Sequence, residues 1–401
     1  MKQKIIDKIN RLASQKEPFL FVINYQADEA FIRKLSDINP EECLFDFEGR
    51  GNWRENHSKE MGDSKRIYEE ISREISREIP KEISEKKFFK ETPLDSPISW
   101  QITPPLYNDY ERSFNIVKSN IMAGNSYLTN LTNRVPVSCN LSLEEIFHRA
   151  KGKYKLLLRR KRTQAEDKAH LKEENIEENL TPFVCFSPET FVRIKGGRIY
   201  SYPMKGTLDA SLPNAEKLLM EDRKEAAEHA TIVDLIRNDL SRVAEDVRVD
   251  KYRYVDVLHT NKGDILQTSS EISGRLPEDY PHHLGEILDA QLPAGSITGA
   301  PKDKTMQIIQ EAEGYDRGFY TGIMGIYDQG ELNSAVMIRF IEEETSPVDF
   351  EADGEKNFKA NEGKKPKKSR KLYFKAGGGI TSKSDCRREY KEVIQKIYLP
   401  F

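Results

Sequence analysis

Acidic side chains on predicted helices give the first sign of a reactive site in this sequence. Segment 214–244 has helical periodicity, and within it Glu228 shares one side of the helix with Ile232 and Leu235. A carboxylate beside a buried apolar stripe is costly unless a positive charge neutralises it. That charge is either an arginine or lysine in an ion pair or a hard metal cation, and the residues alone leave both alternatives open.

The predicted C-terminal helix, within 384–398, raises the same question. Glu389 and Glu392 are three residues apart and Lys396 is four beyond Glu392, so the three side chains can share one face. Carboxylates from two helices, with few histidines nearby, suit Mg²⁺ completed by water and an anionic substrate. Each cluster taken alone is more typical of a surface ion pair.

Two glycine-rich segments and one arginine are further candidates. Segment 295–302 superficially suggests a phosphate loop but fails the pattern, because its lysine is misplaced and Pro301 removes a backbone donor. The glycines of 376–379 follow a strand-like run, where bare N–H groups bind a carboxylate or the chain simply turns. Arg339 lies in an apolar, strand-like run, and its partner is a carboxylate of the protein or of a ligand.

The elements that hold these residues follow from the periodicity. Segments 183–200 and 319–340 alternate, are rich in β-branched and aromatic residues, and carry turn signals at Gly196-Gly197 and Gln329-Gly330. Helical periodicity dominates segments 214–244, 301–313 and 384–398. Hairpins alternating with long helices predict a mixed α+β fold with largely antiparallel sheets rather than a doubly wound fold.

Composition excludes several function classes. A formal net charge of −3 over 401 residues gives no basic footprint for nucleic acid, and no apolar run approaches the ~18 residues of a membrane span. The four cysteines lie far apart without a Cys-x-x-Cys pair, which argues against disulfides or a cysteine zinc site. The N-terminal residues lack the apolar segment of a signal peptide, so a cytoplasmic location fits best.

Five segments, in this order, resemble the chorismate-utilising enzymes, the family that includes the large subunits of anthranilate synthase and aminodeoxychorismate synthase. They are 187–189 (Ser-Pro-Glu), 203–207 (Pro-Met-Lys-Gly-Thr), 232–239 (Ile-Val-Asp-Leu-Ile-Arg-Asn-Asp), 295–302 (Gly-Ser-Ile-Thr-Gly-Ala-Pro-Lys) and 376–380 (Ala-Gly-Gly-Gly-Ile). The resemblance covers roughly residues 107–398. It implies antiparallel sheets sandwiched between helices, with the active site in a cleft between them.

The expected organisation is a catalytic, chorismate-binding domain at 107–401 behind a short N-terminal region, 1–106, that packs on the same sandwich. Charged stretches near 52–92, 159–180 and 342–371 are interpreted as solvated surface insertions rather than as an anion-binding tail.

The resemblance also implies roles for individual residues. Mg²⁺ is expected on Glu228 and Glu392, with Glu389 close by, where it would bind the ring carboxylate of chorismate. Arg339, Tyr320 and the amide of Gly379 match positions that hold the enolpyruvyl carboxylate. The other expected substrate-binding residues are Gly206, Thr207, Arg237, Arg242, Thr298 and Lys396.

Lys205 points to one branch of the family. Anthranilate synthases carry a small residue before the Gly-Thr, whereas aminodeoxychorismate synthases that work covalently carry lysine. A partly desolvated neutral amine is a competent nucleophile. In the family mechanism it attacks C2 of chorismate and expels the C4 hydroxyl, ammonia then adds at C4, and Glu189 matches the general acid that protonates the departing hydroxyl.

The chain is therefore expected to be the synthase subunit that makes 4-amino-4-deoxychorismate for para-aminobenzoate and folate. No glutaminase-like cysteine and histidine pair is found, so ammonia is expected from solution or from a separate glutamine amidotransferase subunit, and the resemblance favours the subunit. The alternatives are anthranilate synthase component I and a non-catalytic subunit that docks a glutaminase.

Two positions depart from the family pattern. Leu128 stands where isochorismate synthases carry a water-activating lysine and aminodeoxychorismate synthases usually carry glutamine, and leucine cannot act as a base. Gln267 stands where many members carry a histidine; it can donate a hydrogen bond but cannot carry a proton. His259 is nearby in sequence. The tryptophan-binding segment of the family has no convincing match, so feedback inhibition by tryptophan is not expected.

Overall fold

The structure is a computed structural model that describes residues 1–53, 97–159, 181–260, 263–346 and 369–401. The described strands form two nine-stranded antiparallel sheets, and helices cover both of them. No helix in these ranges is long and apolar enough to cross a membrane. The charged stretches near 52–92 and 159–180 lie outside the described ranges, apart from residues 52, 53 and 159.

The strands are β1 (Phe19–Ile23), β2 (Ala30–Lys34), β3 (Cys43–Phe47), β4 (Arg50–Gly51), β5 (Trp100–Ile102), β6 (Leu128–Cys139), β7 (Tyr154–Leu158), β8 (Phe183–Ser187), β9 (Thr190–Lys195), β10 (Arg198–Ser201), β11 (Met204–Asp209), β12 (Glu245–Thr260), β13 (Gly263–Arg275), β14 (Gly299–Ala300), β15 (Ile323–Asp328), β16 (Glu331–Val336), β17 (Phe340–Ser346) and β18 (Ser369–Ile380). The helices are α1 (Gln3–Ser14), α2 (Tyr107–Met122), α3 (Leu143–Arg149), α4 (Ala215–Glu221), α5 (Arg223–Leu240), α6 (Leu284–Gln291), α7 (Gly295–Thr298), α8 (Lys302–Glu313) and α9 (Cys386–Gln395).

The first sheet has the order β11-β13-β10-β9-β16-β15-β1-β2, with β12 also paired to β13. The second has the order β14-β6-β18-β17-β8-β7-β3-β4, with β5 also paired to β6. Strands from the first fifty residues enter both sheets, so the N-terminal segment is part of the same sandwich. The glycine-rich end of β18 pairs with the start of β6 in the second sheet.

Three apolar layers separate these elements. β1 is buried along its whole length because alternate side chains enter two of them: Phe19, Phe21 and Ile23 face the helices on the first sheet, whereas Leu20 and Val22 face the second sheet. The third layer lies between the second sheet and α2, α3, α8 and α9. The layers run helix, sheet, sheet, helix, and the predicted α+β class with sheets sandwiched between helices is confirmed.

Segment 214–244 contains two helices where one continuous pattern was expected. α4 ends before Asp222, whose extended backbone (ψ 109°) stops the helix. The Asp222 carboxylate then accepts a hydrogen bond from the Glu225 N–H at 3.0 Å, which caps the start of α5. The break separates the short α4 from the long helix that carries Glu228.

The insertion expected near 342–371 covers fewer residues than predicted, because the residues at both of its ends belong to strands. β17 runs to Ser346 and β18 begins at Ser369, and these two residues are paired. Glu342 is 8% exposed and forms ion pairs with Arg134 at 2.6 Å and Lys375 at 2.7 Å. The charges at these ends are therefore satisfied across neighbouring strands rather than by water.

Candidate active site

Lys205 lies on β11 at a break in the strand register. β11 pairs with β13 on both sides of Gly206, but the register shifts there, which marks a β-bulge. Gly206 has a φ of +69°, and a Cβ in its place would lie 3.2 Å from the Glu225 carboxylate. The Thr268 hydroxyl donates to the Lys205 carbonyl and fixes the backbone. Glycine is thus needed for the bulge that presents Lys205 at the edge of the first sheet.

The Lys205 amine reaches the second sheet. A Cβ built on Gly379 would lie 3.7 Å from Lys205 Nζ and 3.1 Å from Leu128 Cδ1. Gly379 pairs with Asn130 in the β18–β6 ladder, so its lack of a side chain leaves room beside the amine. Leu128 therefore places an apolar side chain next to Gly379, at the position where the family resemblance implies a lysine in isochorismate synthases.

Glu189 lies in the short connection between β8 and β9 and is partly buried. Its Oε1 accepts a hydrogen bond from the Ser296 hydroxyl at 2.5 Å. Burial raises the pKa of the Glu189 carboxyl, and the Ser296 hydrogen bond and the charges of Lys205, Arg339 and Lys396 offset part of that rise. A carboxyl that keeps its proton to higher pH, beside an amine, is suited to act as a general acid.

A cavity of about 120 Å³ joins these groups. Glu189, Lys205 and Ser296 line it together with Asp239 and with Ile232 of α5. Lys205 and Glu189 therefore line the same cavity.

Gly378 lies next to two side chains of α9 and to that of Lys396, just beyond the helix. A Cβ at Gly378 would lie 3.6 Å from Lys396 Nζ, 3.7 Å from Glu389 Oε2 and 3.9 Å from Glu392 Oε1. Lys396 forms an ion pair with Glu392 at 2.8 Å and donates to the Gly377 carbonyl at 2.9 Å. The face predicted from the spacing of these three residues is present, and it covers the glycine-rich end of β18.

The fit of Mg²⁺ to this face is partial. Glu389 and Glu392 offer hard oxygen donors close together, which is what Mg²⁺ prefers. Glu228 lies on α5 and is partly buried. Within the described ranges, no group of three or more carboxylate, histidine or cysteine side chains is arranged as a metal site. The magnesium site on Glu228, Glu389 and Glu392 therefore stays a prediction.

Arg339 was expected on a strand and instead lies at the break between β16 and β17, with a φ of +57°. The reason is topological, because the chain leaves the first sheet and enters the second at this point. The buried Arg339 Nε has no partner among the described residues, and the guanidinium lies 5.8 Å from the Tyr398 ring. Burial raises the pKa of the nearby Tyr320 hydroxyl, so it stays a hydrogen-bond donor. An unsatisfied guanidinium N–H suits an anionic ligand.

For four of the expected substrate-binding residues, the surroundings give no specific indication of an anion-binding site. Arg237 is exposed and pairs with Asp234 at 3.1 Å, and Arg242 donates to the Ala290 carbonyl at 2.8 Å. Thr298 is fully buried, and Thr207 is exposed on β11. Their contact with substrate stays a prediction.

His229 was missed by the sequence analysis. It is fully buried beside Glu228 on α5, and its Nε2 lies 2.7 Å from the Ser270 hydroxyl. Burial, with Arg253 and Lys205 nearby, lowers the pKa of His229 to about 4, so the ring is neutral at physiological pH. Its place three residues before the buried Ile232 was the available signal.

The two positions considered for the family histidine lie on the β12–β13 hairpin. Gln267 is partly buried and is paired with Thr207 on one side and Asp256 on the other. His259 is paired with Asp264. It lies on β12 three residues beyond Asp256, nearer to the end of the hairpin. His229 is buried and lies near Lys205, on the helix rather than on the hairpin.

Lys302, the lysine whose position does not fit a phosphate loop, forms an ion pair within the protein. Lys302 forms an ion pair with Asp239 at 2.9 Å and donates to the Gln291 carbonyl at 2.9 Å. A Cβ at Gly295 would lie 2.8 Å from Leu235 Cδ2, so glycine lets α7 rest on α5. Segments 232–239 and 295–302 thus hold each other and place Ser296 against Glu189.

The geometry agrees with the family comparison. Residues 1–354 match the model of chorismate binding enzymes, and the chain belongs to that family. The match includes the N-terminal region, which the resemblance drawn from the motifs did not cover.

Two curated relatives align along almost the whole chain. An uncharacterised PabA-like protein of Haemophilus influenzae is 40% identical over 398 residues, covering 99% of this chain and 97% of that protein. One of Pasteurella multocida is 40% identical over 395 residues, covering 98% of each. Anthranilate synthase component 1 of Aquifex aeolicus is 34% identical over 222 residues, which cover 52% of this chain and 38% of that protein.

Solved structures share the fold. Anthranilate synthase component I from Streptococcus pneumoniae superimposes with a TM-score of 0.61 at 19% identity, covering 98% of this chain and 84% of that one. The menaquinone-specific isochorismate synthase from Escherichia coli gives a TM-score of 0.57 at 14% identity, covering 98% and 80%.

Proposed function

We propose that the chain is the synthase subunit of an aminodeoxychorismate synthase. It converts chorismate and ammonia to 4-amino-4-deoxychorismate through a covalent intermediate on Lys205, on the route to para-aminobenzoate and folate in the cytoplasm. The observation that carries the proposal is the position of the Lys205 amine, which adjoins Gly379 and shares a cavity with the Glu189 carboxyl. A nucleophile and a proton donor facing one space are what this substitution needs.

Each step assigns one task to a residue. The Lys205 amine, which must first give up its proton, forms a bond to C2 of chorismate as the two ring double bonds shift and the C4 hydroxyl leaves. Glu189 gives that hydroxyl its proton, so it departs as water. Ammonia then adds at C4 while the double bonds shift back and the bond from C2 to Lys205 breaks, which regenerates the amine; a proton of the new ammonium group returns to Glu189. Arg339 has an unsatisfied N–H with which to hold a substrate carboxylate.

Two further components belong to the proposal. Mg²⁺ held by Glu389, Glu392 and Glu228 would neutralise the ring carboxylate of chorismate. A separate glutamine amidotransferase subunit would supply the ammonia. The name of the two full-length relatives, PabA-like, is compatible with an assembly of this kind.

Product analysis tests the proposal. The chain is incubated with chorismate, Mg²⁺ and ammonium, with and without added aminodeoxychorismate lyase. The expected product is 4-amino-4-deoxychorismate, converted to para-aminobenzoate only when lyase is present, and EDTA should stop its formation. Anthranilate and pyruvate formed without lyase would identify anthranilate synthase, the rival suggested by the partial match to the Aquifex aeolicus enzyme. No conversion under any of these conditions would favour a non-catalytic subunit.

A further inference from the structure

The hydrogen bond between Ser296 and Glu189 joins two segments that are each held by backbone contacts. On the Glu189 side, its N–H donates to the Ser187 hydroxyl at 3.1 Å, and its carbonyl accepts from the Val336 N–H at 3.2 Å. Ser187 is fully buried. The main chain that carries the Glu189 carboxyl is therefore fixed at both of its polar groups.

The Ser296 side is fixed by the next residue. The Ile297 carbonyl accepts from Asn130 Nδ2 at 3.0 Å and from Arg317 Nη1 at 2.9 Å. Arg317 is itself buried and pairs with Glu313 at 2.6 Å. Since Asn130 of β6 and Arg317 both hold the Ile297 carbonyl, the backbone that follows Ser296 is fixed and its hydroxyl is a preorganised donor.

We propose that Ser296 is a positioning residue that fixes the Glu189 carboxyl and biases it towards its ionised form. This inference rests on the proposed role of Glu189 as the proton donor. A hydroxyl that donates at 2.5 Å stabilises the carboxylate, so it eases release of the proton to the departing C4 hydroxyl. It also keeps the carboxyl turned towards the cavity that Lys205 shares.

The electrostatic setting gives this hydrogen bond its importance. Burial, the largest influence, raises the pKa of Glu189, and donation by Ser296 is the first of the influences that lower it. The charged groups that face Glu189 from the surrounding elements, or line the same cavity, are Lys205, Arg339, Lys396 and Asp239. Ser296 acts at contact distance, whereas the three cations act through space.

The test measures the pKa of the Glu189 carboxyl in the full chain by ¹³C NMR of glutamate-labelled enzyme, with Glu189→Gln identifying the resonance. In Ser296→Ala this pKa should rise by about one pH unit, because a hydrogen bond to the charged form is lost. Ser296→Thr keeps a hydroxyl and should restore the wild-type pKa. The apparent pKa that Glu189 contributes to the pH profile of kcat/KM should rise by the same amount, about one pH unit.

Two further variants make the result specific. Ser201 lines the same cavity, but its hydroxyl donates to the Phe191 carbonyl at 3.3 Å, so Ser201→Ala should leave the pKa of Glu189 unchanged. Ser296→Cys keeps the shape with a weak donor, and should raise the pKa even if Ser296→Ala fails to fold.

An unchanged pKa of Glu189 in Ser296→Ala and Ser296→Cys, or an equal rise in Ser201→Ala, would overturn the inference. If the pKa of Glu189 rises in Ser296→Ala but the wild-type enzyme does not convert chorismate, the proposed function is refuted, whereas the effect of Ser296 on Glu189 is supported.

Discussion

In the proposed reaction Lys205 is the residue that separates aminodeoxychorismate formation from anthranilate synthesis, for which the family resemblance implies a small residue at this place. If the amine forms a bond to C2, chorismate supplied without ammonia should leave an adduct on this lysine, because the second step lacks its nucleophile. Lys205→Ala should abolish the adduct and aminodeoxychorismate formation, while chorismate still binds through Arg339. Intact-protein mass spectrometry followed by peptide mapping measures both.

Lys195 supplies the matched control, since it is an exposed lysine at the end of β9. Lys195→Ala should keep the adduct and the turnover. Unchanged turnover in Lys205→Ala would rule out its role as nucleophile.

Glu189 should reveal its burial in the pH dependence of stability. Below the pKa of an unfolded glutamate, about 4.3, the carboxyl is protonated in both states. Because the pKa is raised in the folded protein, stability present at low pH is lost as the pH rises through the folded pKa. Glu189→Gln cannot ionise, so its free energy of unfolding should exceed that of the wild type at pH 8 but not at pH 4, by urea denaturation at both values.

The same variant should lose about 10²- to 10⁴-fold in turnover, the usual contribution of a general acid. A variant that is inactive yet equally stable at both pH values would show that Glu189 is not desolvated as the structure indicates.

Among the elements, α5 and α8 are joined by one largely buried ion pair, between Asp239 and Lys302. Lys302→Met would leave the Asp239 carboxylate buried without its cation, and we expect a loss of about 3 kcal/mol in the free energy of unfolding. Adding Asp239→Asn should recover part of this loss. Urea denaturation of the single and double variants measures the difference.

Lys304→Met on the same helix is the control, because Lys304 is exposed and contacts only Gln307, at 3.3 Å, among the bonds resolved for its side chain. Its effect should stay within about 0.5 kcal/mol. Equal losses in both lysine variants would mean that the Asp239 pair carries no special energy.

Element positions were largely predictable because their signals are local. The turn at Gly196-Gly197 and the alternation around it predict the hairpin that β9 and β10 form. The break at Asp222 and the turn at Arg339 were not predictable, since a capping side chain and a crossing between sheets depend on what lies on either side. Glu389, Glu392 and Lys396 share the face that their spacing predicts, because helix geometry alone decides it.

For the molecule as a whole, the contacts that make the site join distant parts of the chain. No spacing rule brings Lys205 to Gly379 or Ser296 to Glu189, because those contacts arise only when two sheets and α7 meet. Family resemblance could mark Lys205 and Gly379 as site residues, but it could not give the hydrogen bond from Ser296 or the buried place of His229.

The β17–β18 hairpin allows the insertion to be tested within bounds that the structure supplies. Ser346 and Ser369 are paired, so replacing 347–368 by a short Gly-Ser turn should close the hairpin and keep turnover within about twofold, since loop length changes closure entropy weakly. Replacing 342–371 also removes Glu342, the partner of Arg134 and Lys375, and should be strongly destabilising. Steady-state kinetics and urea denaturation of both variants distinguish these outcomes. Loss of chorismate binding in a well-folded 347–368 replacement would give this segment a functional role.

Lys205 belongs to the first sheet and Gly379 to the second, so the distance from the amine to the glycine that is expected to hold the substrate depends on how two separately hydrogen-bonded sheets are aligned. The layer between those sheets is apolar, with Leu20, Phe45 and Met337 among its members. Such packing resists separation more than it resists sliding, because apolar contacts have no preferred direction. A slip of about 1 Å is enough to cost ~100-fold in rate. Moderate warming should therefore abolish turnover reversibly at temperatures where circular dichroism still shows intact strands. Turnover would then report the alignment of the two sheets more sensitively than circular dichroism does.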